Sequence, residues 1–129
     1  GEYNKKMDPW LNGYRKFLKA HKPTWTAIEE RFISEVWGFG GTPDRFGEMG
    51  RKTVVIELKF GSPDASHALQ TAGQQILVEE YYSTRVQERY TLYLKPNDFR
   101  LVPQKGKSDK SIFIGLALAY NWKVENKRG

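Results

Sequence analysis

Residues 53–60, Thr-Val-Val-Ile-Glu-Leu-Lys-Phe, form the stretch that decides the fold of this chain. The run is rich in β-branched and apolar residues and has glycines near both ends, which predicts a strand. Because side chains alternate between the faces of a strand, Glu57 and Lys59 share one face with Val55. The opposite face carries only apolar side chains: Val54, Ile56, Leu58 and Phe60. A charged pair on so hydrophobic a strand costs free energy unless the charges are paired or bind a metal ion.

A second carboxylate precedes this strand. Asp44 follows the Gly-Gly-Thr-Pro turn at residues 40–43 and opens a short strand-like segment that ends near Gly47. If the two strands are neighbours, Asp44 lies beside Glu57. Two carboxylates that close repel each other unless a divalent cation neutralises them, and hard oxygen ligands favour Mg²⁺ or Mn²⁺. Lys59 could then orient an attacking water or stabilise the charge that develops on a phosphate.

The same residues also allow a structural interpretation. Glu57 with Lys59, or Asp44 with Arg45, could form an ion pair on a solvated face of the sheet. An Asp followed some twelve residues later by Glu-x-Lys occurs by chance in many proteins. The apolar strand around the pair, and the glutamine-bearing helix predicted after it, favour catalysis.

With these residues identified, the chain resembles the PD-(D/E)xK nucleases, and among them the RecB-like exonucleases common in phages. Pro43-Asp44 matches the first element of the motif, and Glu57-Leu58-Lys59 matches the second. Gln70, with Gln74 one helical turn on, falls where that branch keeps a glutamine on the helix after the catalytic strand. The resemblance covers residues 14–122, which is most of the chain.

The resemblance implies a metal-dependent deoxyribonuclease, with Mg²⁺ or Mn²⁺ held by Asp44, Glu57 and the backbone carbonyl of Leu58. It makes Lys59 the catalytic lysine. It also gives Gln70 a role in orienting Lys59, the water or a phosphate oxygen, which suits an amide because it both donates and accepts. An exonuclease of phage DNA recombination, repair or replication is the leading interpretation. A structure-selective endonuclease, or a nucleic-acid-binding module that has lost cleavage, is the alternative.

One feature of the RecB-like branch has no counterpart in this sequence. Members usually carry an upstream helix with a Gly-Thr-x-x-His type segment, whose histidine is a further metal ligand. The two histidines here, His21 and His67, lie in other contexts. Either the chain lacks that helix, or the site manages with fewer protein ligands. We expect the natural protein to extend beyond Gly1 by a helical segment, and the longer form to bind metal more tightly and cleave faster.

Further site candidates are less specific. Glu29 and Glu30 lie in the first predicted strand, where alternation allows at most one to face the site, and we favour Glu30 as an additional acidic residue. Several basic side chains could contact DNA phosphates, although each could equally be ordinary surface charge. They are Arg45, Arg51, Lys52, Lys105 and Lys107.

Composition limits the remaining possibilities. A chain of 129 residues fits one domain, here a single nuclease domain over residues 1–129. The absence of cysteine excludes disulfides, thiol catalysis and cysteine-ligated zinc, and it fits the reducing cytoplasm, that of the host if the chain is phage-encoded. The sequence has no apolar run approaching the roughly 18 residues of a membrane span, and no secretory signal.

Charge is spread unevenly along the chain. The net charge is +6, and residues 95–129 carry eight basic and three acidic side chains, whereas residues 44–94 carry six and seven. A basic flank beside an acidic centre suits a polyanion such as DNA, which would be held by its phosphates. No Walker-type ATP-binding segment occurs, so a helicase or recombination protein would have to act from another chain.

The predicted class is α/β (α+β), with a restriction-endonuclease-like three-layer core in which helices flank a mixed central sheet. Asp8 is expected to cap the first helix, Ser62 or Asp64 the second, and Ser108 or Asp109 the third. The helices are predicted over residues 8–22, 62–83 and 109–124. The strands are predicted over residues 27–35, 39–46, 53–60, 88–94 and 99–103, the first three as an antiparallel meander.

Overall fold

A mixed five-stranded sheet forms the centre of the computed structural model, which describes residues 5–127. Numbered along the chain, the strands are β1 Thr24–Ile28, β2 Phe32–Ser34, β3 Phe39–Gly41, β4 Arg45–Met49, β5 Lys52–Phe60, β6 Glu88–Lys95 and β7 Asp98–Pro103. The sheet order is β1-β4-β5-β6-β7, and β2 and β3 pair separately as a hairpin. Within the sheet only β5 and β6 are parallel, because a helix connects them.

Three α-helices complete the fold within residues 5–127. They are α1 Asp8–His21, α2 Ser66–Tyr82 and α3 Asp109–Glu125, and a 3₁₀ turn at Lys5–Met7 precedes the first. Helix α1 packs on one face of the sheet against β6 and β7, and α2 packs on the other face against β5 and β6. Helix α3 packs on the outer side of α2. The predicted three-layer core, a mixed sheet flanked by helices, is confirmed.

Strand β5 separates two hydrophobic cores. Val55 lies in the core under α2, together with Phe46 and Leu77. Val54 and Ile56 lie in the core under α1. All three β5 side chains are fully buried. The alternation predicted for residues 53–60 is therefore confirmed, and it places the polar positions of β5 on the α2 side.

Two of the predicted strands are wrong in extent. The single strand expected over residues 27–35 is broken after Ile28, because Glu29 adopts a left-handed backbone conformation with φ of 50°. The strand expected over residues 39–46 is interrupted at Thr42–Asp44, where Pro43 has no N–H to donate to a neighbouring strand. As a result, the β2–β3 hairpin is inserted into the otherwise antiparallel series β1, β4 and β5.

The predicted helix caps are also wrong in detail. Asp8 is the first residue of α1, and Met7 occupies the cap position without a side-chain hydrogen bond. Helix α2 begins at Ser66, later than predicted, although the Asp64 carboxylate accepts hydrogen bonds from the Ser66 backbone N and hydroxyl. Ser108 does occupy the cap position of α3, but its hydroxyl makes no capping bond.

Helix α3 is attached through a narrow inner face. Its Phe113 packs against Gly73 of α2, and the Asn121 side chain donates to the carbonyls of Trp37 and Gly38 in the β2–β3 turn. The large apolar side chains that it leaves exposed are Ile112, Leu116, Leu118, Tyr120, Trp122 and Val124. Even so, none of the helices within residues 5–127 has the length and apolar character that crossing a membrane requires.

Two glycines in helix interiors make a matched test of packing. At Gly13 in α1, a Cβ would lie 2.3 Å from the Asp98 carbonyl oxygen and 2.6 Å from that of Lys95, backbone atoms that cannot rotate away. Gly13→Ala should therefore lower the free energy of unfolding by about 1–3 kcal/mol. At Gly115 in α3, a Cβ would meet nothing within 4 Å. Gly115→Ala should raise stability by about 0.5–1 kcal/mol, since alanine is the better helix former.

Urea unfolding of both variants against the native chain measures the two effects. A Gly13→Ala protein as stable as the native chain would contradict the close approach of α1 to the β6–β7 turn.

Candidate active site

The pairing of β4 with β5 brings two carboxylates together. Arg45 lies opposite Ile56 at the last pair of the ladder, and continuing this register by one residue puts Asp44 next to Glu57, whose pKa its carboxyl raises. The Asp44 Oδ2 atom accepts a hydrogen bond of 2.8 Å from the Leu58 backbone N. The Asp44 side chain thus satisfies a β5 donor just before β4 begins, and this bond holds its carboxylate next to Glu57.

Glu57 is enclosed by polar partners. The Gln74 side-chain N–H donates to Glu57 Oε2, and the Lys59 Nζ atom lies 3.5 Å from Glu57 Oε1. The Glu57 side chain is 12% exposed and that of Lys59 is 26% exposed. Burial raises the pKa of Glu57, and the neighbouring Asp44 carboxyl raises it further, whereas the Gln74 hydrogen bond and the Lys59 charge lower it. Ionised Glu57 is therefore disfavoured in the folded chain.

The glutamine that touches Glu57 is Gln74. Gln70 is exposed and lines the same small pocket of about 180 Å³, but it does not contact the carboxylate. The Gln74 Oε1 atom is buried and has no hydrogen-bond partner among the described residues. The sequence signal was present, since Gln74 follows Gln70 by one helical turn on the same helix face. Which turn of α2 lies over Glu57 depends on the loop from Phe60 to Ser66.

An imidazole and a phenol lie near the lysine, and the sequence analysis did not anticipate this pair. The His67 Nδ1 atom lies 2.8 Å from the Tyr93 hydroxyl, and Tyr93 is 1% exposed. Tyr93 is the register partner of Lys59 across the parallel β5–β6 pair, so both side chains are on the α2 side. Alternation in β6 puts Tyr93 on the same face as Arg89 and Thr91 and does not by itself indicate its burial, and a parallel register between distant strands leaves no local signal in the sequence.

The donor set of the pair suits a hard divalent cation. Two adjacent carboxylates, one of them with a raised pKa, present the repulsion that such a cation would relieve. Mg²⁺ commonly binds through one or two carboxylates and keeps several waters. Residues 5–127 contain no group of three acidic, histidine or cysteine side chains that could hold a metal. Further protein ligands at Asp44 and Glu57 would therefore be neutral oxygens, such as the Leu58 backbone carbonyl or a glutamine side-chain oxygen.

Two predicted site residues lie elsewhere. Glu30 is exposed in the bend between β1 and β2, and its charge adds to burial in raising the pKa of Tyr82. Arg45 lies on the α1 side of the sheet, where its Nε donates to the Tyr14 hydroxyl at 3.1 Å and its guanidinium lies 5.5 Å from the centre of that ring. Glu30 is not brought to the Asp44–Glu57 pair. Arg45 contacts Asp44 only at its backbone carbonyl, to which Nη1 donates at 2.8 Å, and not at its carboxylate.

The other four predicted DNA contacts are separate from the acidic pair. Arg51 and Lys52 lie at the β4–β5 turn, at the end of β5 away from Lys59. Lys52 forms an ion pair of 2.6 Å with Glu88. Lys105 and Lys107 are exposed in the loop between β7 and α3. The structure therefore groups these basic residues near the start of β5 and β6, whereas the carboxylates lie further along β5.

Several solved structures share this fold, among them two longer proteins. One is a candidate exonuclease from Eubacterium rectale, with a TM-score of 0.60 and 9% identity over 92% of this chain and 50% of that chain. The other is the protein SSO0001, with a TM-score of 0.54 and 18% identity over 91% of this chain and 59% of that chain. The chain thus spans between half and three fifths of the length of these proteins. At such identities the likeness shows the fold alone, which is one that a candidate exonuclease also uses.

Sequence comparison adds nothing to this likeness. No protein-family model matches the chain, and the curated proteins contain no match to it.

The raised pKa of Glu57 predicts a pH-dependent effect of Glu57→Gln. A folded-state pKa above the unfolded value means that the folded chain binds the proton more tightly, so stability is lost as pH rises between the two values. At pH 7, above the unfolded value, the native chain carries this penalty, and Glu57→Gln, which removes the charge, should be the more stable protein. Below about pH 4 the Glu57 carboxyl is protonated in both the folded and the unfolded chain. The difference in stability between Glu57→Gln and the native chain should then vanish.

Urea unfolding at pH 4 and pH 7 with a chelator present tests this expectation. Glu48→Gln, at an exposed position on β4, is the control and should change stability little at either pH. An equal effect of Glu57→Gln at both pH values would show that its carboxylate is not under electrostatic stress.

Proposed function

We propose that this chain hydrolyses phosphodiester bonds of DNA with the help of Mg²⁺ or Mn²⁺. The observation that carries the proposal is the placement of Asp44 opposite Glu57, with the Lys59 ammonium 3.5 Å from Glu57. A fold shared with a candidate exonuclease supports the proposal. Partly buried carboxylates that repel each other beside a lysine suit a site that binds both a cation and a phosphate.

Each residue has a role that follows from its surroundings. Asp44 and Glu57 would hold the cation, with the Leu58 carbonyl as a further ligand. A cation bound there would acidify a water molecule and offset negative charge on the phosphate. Lys59 is partly exposed, so its ammonium can donate to a phosphate oxygen and stabilise the charge that grows in the transition state. The hydrogen bond from Gln74 fixes the orientation of Glu57.

Gln70 has a different role from Gln74. It is exposed at the pocket that contains Glu57, so its amide is accessible to a phosphate oxygen or to the water that attacks. We assign the activity to an exonuclease of DNA recombination, repair or replication, in the RecB-like branch that the motif resembles. A helicase or recombination protein would act from another chain.

A binding module without cleavage is the second candidate. It is favoured by the small ligand set, because the described part of the chain has no third acidic or histidine side chain grouped with Asp44 and Glu57. Incubation of linear and circular DNA with Mg²⁺, Mn²⁺ or Ca²⁺ separates these functions. Loss of linear DNA alone indicates an exonuclease, cutting of circles indicates an endonuclease, and binding with no cutting indicates the module.

Metal binding is the first consequence to test. Asp44→Asn should weaken Mn²⁺ binding markedly, because it removes one of two carboxylate charges while its amide oxygen can still accept from Leu58. Calorimetric titration of Mn²⁺ into the native chain and the variant measures this. Asp98→Asn, in the β6–β7 turn, is the matched control and should bind as the native chain does. Equal affinity in all three proteins would rule out a metal at this pair.

The role of Lys59 in cleavage is the second consequence to test. Lys59→Met should slow DNA cleavage on the order of a hundredfold or more, since a placed charge at the transition state is worth a few kcal/mol. Mn²⁺ affinity should be unchanged or higher, because a positive charge near Glu57 is removed. Single-turnover cleavage and Mn²⁺ titration report the two effects, with the exposed α1 variant Lys19→Met as control. Native cleavage by Lys59→Met would make the lysine structural.

A further inference from the structure

A second concave surface lies on the other side of α2 from the acidic pair. Gln74 contacts Glu57, whereas the next residue, Gln75, lines a cavity of about 730 Å³. Segments from four elements enclose this cavity: the second half of α2, the start of β6, the end of β7 and the start of α3. Its basic side chains are Arg85, Arg89, Lys105, Lys107 and Lys110, against the acidic Glu79 and Glu88.

Two of these cationic side chains, Arg89 and Lys110, are bonded to other groups of the protein. The Arg89 side chain is 8% exposed and donates to the Ala68 and Gly106 carbonyls, the Thr71 hydroxyl and the Asp109 carboxylate. These bonds fix the loop between β7 and α3. Lys110 pairs with Glu79 at 3.1 Å. Neither side chain is available to a ligand without loss of these contacts.

The other three cations have no such partner. Arg85, Lys105 and Lys107 are all exposed, and within residues 5–127 none of them forms an ion pair or a side-chain hydrogen bond. The anchored Arg89 holds the loop that carries both lysines, so their positions beside Arg85 follow from the fold. Like charges gathered in a concave surface reinforce one another and favour a bound anion.

The surface is elongated. A second cavity of about 310 Å³ is lined by Lys52, Arg85, Gln87 and Glu88, and the last three also line the first cavity. Together they form one groove, which we call the basic groove, from Lys107 to Lys52. A groove that joins two cavities in this way suits a linear polyanion better than a compact phosphate compound.

Strand β5 sets the distance between the Lys52 end of the basic groove and Glu57. Lys52 precedes Glu57 by five residues on this strand, which is about 16 Å at roughly 3.3 Å per residue. That length corresponds to about five base pairs at roughly 3.4 Å each. Lys52 and Glu57 alternate to opposite faces of β5, so a bound nucleic acid could contact both places by passing the edge of the sheet at the start of the strand.

We infer that the basic groove binds the phosphate backbone of a nucleic-acid strand several nucleotides from the position of cleavage. The inference rests on the proposed function, which identifies the polyanion as the DNA that is cut. Lysine and arginine contacts to phosphates supply affinity without reading sequence. The groove thus holds the substrate, and Asp44, Glu57 and Lys59 act on it.

The test compares two triple variants of equal charge change. The groove variant is Arg85→Glu/Lys105→Glu/Lys107→Glu. The control is Lys19→Glu/Lys22→Glu/Lys123→Glu, at exposed positions outside the groove. Fluorescence anisotropy with a labelled DNA oligonucleotide, in chelator so that no cleavage occurs, measures affinity at several salt concentrations. The groove variant should bind on the order of a hundredfold more weakly at about 0.1 M salt, and its slope of log affinity against log salt should fall by about 3.

Each outcome decides the inference. Weakening confined to the groove variant supports it, and equal weakening in both variants overturns it, since the contribution would then be general surface charge. Displacement of the oligonucleotide by inorganic phosphate at the same total phosphate would also overturn it, by showing a compact anion site. Groove-dependent binding by a native chain that cuts no DNA with any metal supports the groove and refutes the proposed function.

Folding of the variants is checked by circular dichroism and urea unfolding. If the triple variant is unfolded, Lys105→Gln/Lys107→Gln takes its place, because both lysines are exposed and unpartnered and their neutralisation removes only charge. This double variant should lower the salt slope by about 2. An unchanged slope in a folded double variant overturns the inference.

Discussion

The hydrogen bond from the Leu58 backbone N to the Asp44 carboxylate joins the structure of this protein to its proposed chemistry. It lies just before β4 begins, where β5 continues past the β4–β5 ladder, so a side chain supplies the acceptor that backbone pairing no longer provides. The same bond holds the Asp44 carboxylate beside Glu57, which burial under α2 already places under electrostatic stress. An arrangement that is unfavourable for the fold alone is a reason to look for a bound cation.

Helix α2 lies between two surfaces, one with the Asp44–Glu57 pair and the other with the basic groove. On one side Gln74 contacts Glu57, and on the other Gln75 lines the basic groove. Because α2 lies between them, the lysines and arginine of the groove do not pair with Asp44 and Glu57. One surface is therefore basic and the other acidic. A strand held in the groove and cut at Asp44 and Glu57 would pass around one helix, with affinity and chemistry supplied by different residues.

The fold neighbours support this picture only at the level of architecture. With 9% and 18% identity, they show that the chain shares a three-layer core with longer proteins, one of them a candidate exonuclease. Function has to be argued from the site, because one fold can host unrelated chemistries. The expectation of an additional upstream helix with a metal-ligating histidine stays a prediction.

Much of the core and one face of the site could be predicted from local sequence. Alternation along a strand follows from backbone geometry, so residues 53–60 by themselves determined that Glu57 and Lys59 share a face opposite Val54 and Ile56. The break at Glu29 could not be predicted, because its left-handed backbone is of a kind that glycine or asparagine would normally signal. Alternation depends only on the backbone geometry of the strand itself, so it holds whatever packs around that strand.

Only the tertiary structure decided which distant residues meet. That Gln74 and not Gln70 touches Glu57 depends on how the loop after β5 sets the height of α2 over the sheet. The basic groove collects Lys52, Arg85 and Lys107 from three parts of the chain, and their proximity requires the sheet order and the parallel register of β5 and β6. Such contacts arise from the packing of whole elements, and no short stretch of sequence carries that information.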